Sequence, residues 1–194
     1  VTMDNSVTNM GDATTWTVSG NWDSYSVTTF SRGTSTLTMN GTTKTINSSG
    51  SSANAFYNLT IDGTITLNPT DTFGVTNGGV VTVNSSATLT IAASKGLAIY
   101  NKVTSGLVIN SGGTVTGSGQ IYMQNATVGQ QSGTINVATL EVRGTGTSLT
   151  FASGTYSSAS VLLGVEGNTP TFTFSSGTTT FTGNVNFYNS NSAT

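Results

Sequence analysis

Acid–base chemistry near neutral pH needs a histidine, a cysteine or a carboxylate held in the right place. This sequence has no histidine and no cysteine, so such work would fall to seven carboxylates: Asp4, Asp12, Asp23, Asp62, Asp71, Glu141 and Glu166. The same absence removes thiol nucleophiles, disulfides and the usual zinc ligands. Polysaccharide hydrolysis would require two carboxylates facing one cleft, and Asp62 with Asp71 is the candidate pair. The preferred reading of both is structural, because an Asp at a corner between strands accepts hydrogen bonds from neighbouring backbone amides. Calcium would want an EF-hand loop or a GGxGxD repeat, and neither occurs. The residues therefore assign no catalytic group, no cofactor and no metal ligand, and the chain is read as not an enzyme.

Five Lys and Arg residues are scattered along the chain, and charged residues make up 6% of it, against about 25% in ordinary domains. A grip on nucleic acid or anionic lipid needs clustered basic residues, so both partners are excluded. The apolar run from Val161 to Val165, broken by Gly164, is far too short for a membrane span. No basic leader opens the chain, and a first residue of Val suits a processed, secreted chain or an excised fragment. The expected location is extracellular, at the cell surface.

The elements that would carry any site are strands. Thr, Ser, Gly and Asn contribute 40, 26, 24 and 19 residues, and a surface built from them must be neutral and rich in hydroxyls. Apolar residues recur with period two in short bursts, among them Leu37/Met39, Leu59/Ile61, Ile65/Leu67, Leu89/Ile91, Ile121/Met123 and Val161/Leu163. Such alternation marks half-buried strands, and no stretch carries helical periodicity. Between bursts lie turn formers such as Asn40-Gly41, Asn77-Gly78-Gly79 and Ser111-Gly112-Gly113. A second period decides between architectures: positions 59, 81 and 107, then 121, 140, 161 and 185, step by roughly the 20–25 residues of a solenoid turn. The expected fold is all-β, a right-handed parallel β-helix over residues 1–194 as a single domain. The alternative is an antiparallel β-sandwich or jelly roll.

The first third of the chain carries a resemblance. The segments WTVSGNW at Trp16–Trp22, TSTLTMNGT at Thr34–Thr42, KTIN at Lys44–Asn47 and FYNLTI at Phe56–Ile61 resemble repeats of secreted, pectin-lyase-like parallel β-helix proteins of archaea, bacteria and their viruses. The resemblance implies a surface or filament architecture and carries over no catalytic residue, since that fold hosts enzymes, adhesins and fibres alike.

Several further features bear on binding. Triplets such as Thr36-Leu37-Thr38, Thr64-Ile65-Thr66, Thr88-Leu89-Thr90, Thr114-Val115-Thr116 and Thr171-Phe172-Thr173 could form a ladder that orders water, as in an ice-binding solenoid. Any Thr-rich strand with an apolar middle residue yields the same triplet, which favours the plainer reading. Five sequons, at Asn40, Asn47, Asn58, Asn84 and Asn125, are candidate glycosylation sites, with Asn40 and Asn84 preferred because they stand at apparent corners. Aromatic residues gather early (Trp16, Trp22, Tyr25, Phe30) and late (Phe172, Phe174, Phe181, Phe187, Tyr188), where core filling is favoured over a sugar platform. Residues 1–12 offer an extended strand, with Val1, Met3 and Val7 on one face, for contact between subunits. The function expected is a structural subunit of an extracellular filament, fibre or surface layer. Its partners would be identical subunits and, as an alternative role, surface glycans that the chain binds or cleaves.

Overall fold

A computed structural model of the chain describes residues 1–2, 8–9, 11–26, 30–48, 56–70, 72–76, 79–102, 106–126, 132–143, 148–151, 154–165, 171–174 and 178–187. Among them no helix occurs, and every ladder is parallel. The architecture is a parallel β-solenoid, which removes the antiparallel sandwich.

Three sheets of five to eight strands run along the molecule, beside two described pairs, Thr8–Asn9 with Phe30–Ser31 and Ser148–Phe151 with Thr171–Phe174. The first contains Thr15–Val18, Thr36–Met39, Asn58–Ile61, Val81–Val83 and Leu107–Ile109 in spatial order. The second is the longest, eight strands from Trp22–Ser24 to Thr179–Phe181. The third holds six, from Thr72–Thr76 to Asn184–Phe187. The chain visits them in turn, as in Asn58–Ile61, Thr64–Leu67 and Thr72–Thr76, and then returns to the first sheet one coil further on at Val81–Val83. Leu59 pairs with Val81 and Val81 with Leu107 in the first sheet, whereas Ile121, Leu140, Val161 and Val185 follow one another in the third. The period visible in the sequence thus belongs to two different sheets.

Alternation explains why these segments are strands and which side they bury. In Asn58–Ile61, Thr64–Leu67 and Thr88–Ile91 the apolar residues point inward and the Thr or Asn residues outward. Stacking then sets like over like: Ile65, Leu89, Val115, Ile135 and Tyr156 form one inward column, each at most 1% exposed. Each fully buried Leu or Ile in such a column contributes about 1.5–3 kcal/mol of transfer free energy. No coil could bury these residues against itself.

Aromatic rings fill the wider parts of the core. Trp22 meets Trp16 edge-on with centroids 6.4 Å apart, and it meets Phe56 at 5.3 Å. Phe56 in turn stacks on Phe73 at 5.3 Å. Towards the other end, buried Tyr156 stacks on Phe181 at 5.4 Å, and burial pushes its phenol above the ordinary tyrosine value. Core filling therefore describes Trp16, Trp22 and Phe181. It does not describe Tyr25, Phe174 or Phe187, which are exposed; the side chains of Phe30 and Phe172, and all of Tyr188, lie outside the described residues.

Corners between the first and second sheets are tight. A Cβ on Gly63 would collide with the carbonyl oxygen of Gly41 in the preceding coil, and one on Gly41 with that of Ser19. Glycine is needed there for close approach of backbones. The one register shift near this edge falls between Thr42 and Lys44, where Thr43 adopts a left-handed φ of 54°.

Truncating the middle of the core tests the stacking. Leu89→Ala is expected to cost about 2–5 kcal/mol in chemical denaturation, because Ile65 and Val115 above and below cannot close the cavity. The neighbouring outward Thr90→Ala should cost less than about 1 kcal/mol. Equal losses for the two would contradict the assigned inward and outward faces.

Candidate functional site

Among the described residues no three carboxylates come together. Asp62 sits at the corner after Asn58–Ile61, where its Oδ1 accepts a hydrogen bond from Asn84 Nδ2 at 2.9 Å. Asn84 Oδ1 accepts in turn from Asn110 Nδ2 at 3.3 Å, and one coil before Asp62 the Asn40 Oδ1 accepts from the Ser19 hydroxyl at 2.9 Å. Ser19, Asn40, Asp62, Asn84 and Asn110 thus occupy the same corner in successive coils. Asp62 is a corner residue as expected, although the partner shown for its carboxylate is a side-chain amide rather than a backbone one. Asp71, its proposed companion, lies outside the described residues, as do Asp4 and Glu166. Glu141 stands on the third sheet, 6% exposed, between Tyr122 and Leu162 in register. Among the described residues no group of three or more Asp or Glu side chains is placed to hold a metal ion.

A shallow groove of about 240 Å³ lies beside the second sheet, lined by Asp23, Tyr25, Asn47, Asn68, Pro69, Thr70 and Lys95. Asp23 Oδ1 accepts from the Tyr25 backbone amide at 3.0 Å, and Asn68 Nδ2 reaches Asn47 Oδ1 at 3.5 Å. Lys95 Nζ donates to the Thr70 carbonyl oxygen at 2.6 Å. Tyr25 is 59% exposed. Sequence reading missed this group; its only signal was a spacing of about one coil between polar residues, which the high Asn and Thr content conceals.

The outward faces differ from one another. On the second sheet Thr42, Thr64, Thr88, Thr114, Thr134, Thr155 and Thr180 stand in one column across successive strands. Two residues along, Thr45, Thr66, Thr90 and Thr116 form a second column that continues to Asn136. The first sheet has a shorter run, Thr17, Thr38, Thr60 and Thr82, that ends at Val108. On the third sheet one such column reads Thr72, Gly96, Gln120, Thr139, Ser160 and Asn184, and the next reads Gly74, Ala98, Tyr122, Glu141, Leu162 and Asn186, of which Gly74, Ala98 and Glu141 are buried. Three of the triplets seen in the sequence, those at 64–66, 88–90 and 114–116, are thus adjacent rungs of one face.

The sequons fall in unlike settings. Asn40 is exposed at a corner. Asn84 is half-buried with both ends of its amide engaged by Asp62 and Asn110. Asn58 lies in a strand, donating to Thr36 Oγ1 at 3.1 Å and accepting from the Val80 amide at 2.9 Å. Asn47 lines the groove, and the side chain of Asn125 lies outside the described residues.

At the start of the chain, the Val1 ammonium donates to the Asn21 carbonyl and the Val1 carbonyl accepts from the Asp23 amide at 2.8 Å. Thr2 forms a parallel bridge with Asp23, so Val1 and Thr2 lie against the first strand of the second sheet. Met3 and Val7 lie outside the described residues. No helix long and apolar enough to cross a membrane occurs among the described residues.

The architecture is that of a parallel β-solenoid whose second sheet carries threonine columns on its outward face. Compared with known proteins, the chain matches no family, no curated protein and no solved structure.

The sequon settings give a direct expectation. In a secretory host that adds N-linked glycans, Asn40 should be modified and Asn58 and Asn84 should not, because their amides are committed to ladders. Peptide mapping by mass spectrometry checks this, and occupancy of Asn84 with Asn40 bare would contradict the corner geometry.

Proposed function

We propose that the chain is a non-enzymatic structural subunit of an extracellular filament, fibre or surface layer, joined copy to copy by continuation of its sheets. The observation that carries this reading is the last described coil. Thr179–Phe181 and Asn184–Phe187 are the last described strands of the second and third sheets, and Phe187 on the latter is 70% exposed. A strand at the end of a parallel stack can be continued by a strand from a second copy, which would also cover an exposed apolar side chain beside it. At the opposite end Val1 and Tyr25 are exposed beside the strand Trp22–Ser24. Contact between unlike ends is heterologous and propagates unless its rotation closes. A net charge of −2 on 194 residues adds little repulsion to oppose stacking.

A second reading, attachment to surface glycans, is favoured by the groove. An exposed tyrosine beside the amides of Asn47 and Asn68 offers the apolar plate and hydrogen-bonding edge that a sugar takes.

Assembly is tested by sedimentation velocity and negative-stain microscopy over a range of concentration and salt. Extended particles that grow with concentration are expected, and Phe187→Lys should return them to monomer while leaving the circular dichroism spectrum unchanged. Uniform monomer from the unsubstituted chain under all conditions would overturn the proposal.

A further inference from the structure

We propose that the outward face of the second sheet binds ice, its hydroxyl and methyl lattice holding water in an ordered layer that joins the crystal. The triplets alone do not support this, since any Thr-rich strand produces them. What supports it is the distribution of threonine among faces that share one backbone plan. The column from Thr42 to Thr180 is threonine at every described strand, whereas one column of the third sheet contains glycine, alanine, tyrosine, glutamate, leucine and asparagine. The third sheet's other column, Thr72, Gly96, Gln120, Thr139, Ser160 and Asn184, has threonine at only two of its six positions. The first sheet's shorter run ends at Val108.

Geometry makes the array a lattice rather than a row. Neighbouring strands in a parallel sheet lie about 4.8 Å apart, and outward residues of one strand repeat every two positions, about 6.6 Å. The two columns therefore define a rectangular net, with Thr64 and Thr66 on one rung, Thr88 and Thr90 on the next, and Thr114 and Thr116 on the third. From Thr64 to Thr155 the pairing runs without a register shift, so the net is not sheared within that span.

The chemistry suits water and little else. A β-branched side chain is stiff at χ1, so each hydroxyl is held in place before any ligand arrives. Each hydroxyl both donates and accepts, which lets it join a hydrogen-bonded network in either sense. The methyl beside it offers no hydrogen bond, so water over it must bond to other water. No charged group stands at an outward position in the net between Thr64 and Thr155, and none imposes its own hydration shell there. No aromatic ring stands there either, which separates this face from one built to lie on a crystalline polysaccharide.

This inference concerns a single copy of the chain and does not depend on assembly. Its test is nanolitre osmometry with microscopy of a single ice crystal in dilute protein solution. The unsubstituted chain should facet the crystal and open a gap between melting and growth temperatures. Thr88→Lys and Thr114→Lys, placed in the middle of the column, should abolish both effects, while Gln120→Lys on the third sheet should leave them intact. Thr88→Tyr retains a strong strand former and interrupts the net by bulk alone, so it serves if a lysine variant fails to fold. Circular dichroism confirms the fold in each sample. Rounded, unshaped ice with the folded unsubstituted chain would overturn the proposal, as would folded second-sheet variants that still shape ice or a Gln120→Lys variant that loses the effect equally.

Discussion

Each coil of this protein has apolar side chains on its inner side and no layer of its own to place against them. Its only available partner is the adjacent coil, and stacking in register is the constraint on which the other features depend. Leu89 buries itself because Ile65 lies on one side and Val115 on the other; removing either would expose it. The same requirement selects glycine at Gly41 and Gly63, where a side chain would hold the backbones apart and break the ladder beside it. It also accounts for the aromatic series from Trp16 through Trp22 and Phe56 to Phe73, which fills the core where the third sheet has only begun.

Register acts on the surface as strictly as on the core. Because parallel pairing sets like position over like, a preference at one outward position is repeated down the whole face. That repetition turns Asn40, Asp62, Asn84 and Asn110 into a corner series linked in part by side-chain hydrogen bonds, and turns isolated threonines into a net. Each amide bond of the corner series contributes about 0.5–1.5 kcal/mol.

Much of this was legible in the sequence. The pairs Leu59/Ile61, Ile65/Leu67 and Leu89/Ile91 announced strands with one buried side, and the longer step announced a solenoid. Register was not legible, because coils differ in length: Leu59 to Val81 spans fewer residues than Val81 to Leu107. Without register, Asp62 could be placed at a corner but not beside Asn84, and Thr88 could not be seen to lie between Thr64 and Thr114. The groove was invisible for the same reason, since Asp23, Asn47 and Lys95 meet only when coils are stacked. Phe174 and Phe187 are exposed against their hydrophobicity, which the alternation of the sequence does not announce.

The most direct test of in-register stacking uses the absence of cysteine from the chain, which makes any disulfide an introduced one. Thr66 and Thr90 are register partners, and partners in adjacent parallel strands lie about 4.8 Å apart, within the Cα separation that a disulfide accepts. The variant Thr66→Cys/Thr90→Cys should therefore close rapidly under mild oxidation, as read by thiol titration and peptide mapping. The offset variant Thr66→Cys/Thr88→Cys, one diagonal away, should stay reduced. Closure of the offset pair in preference to the aligned one would contradict the account.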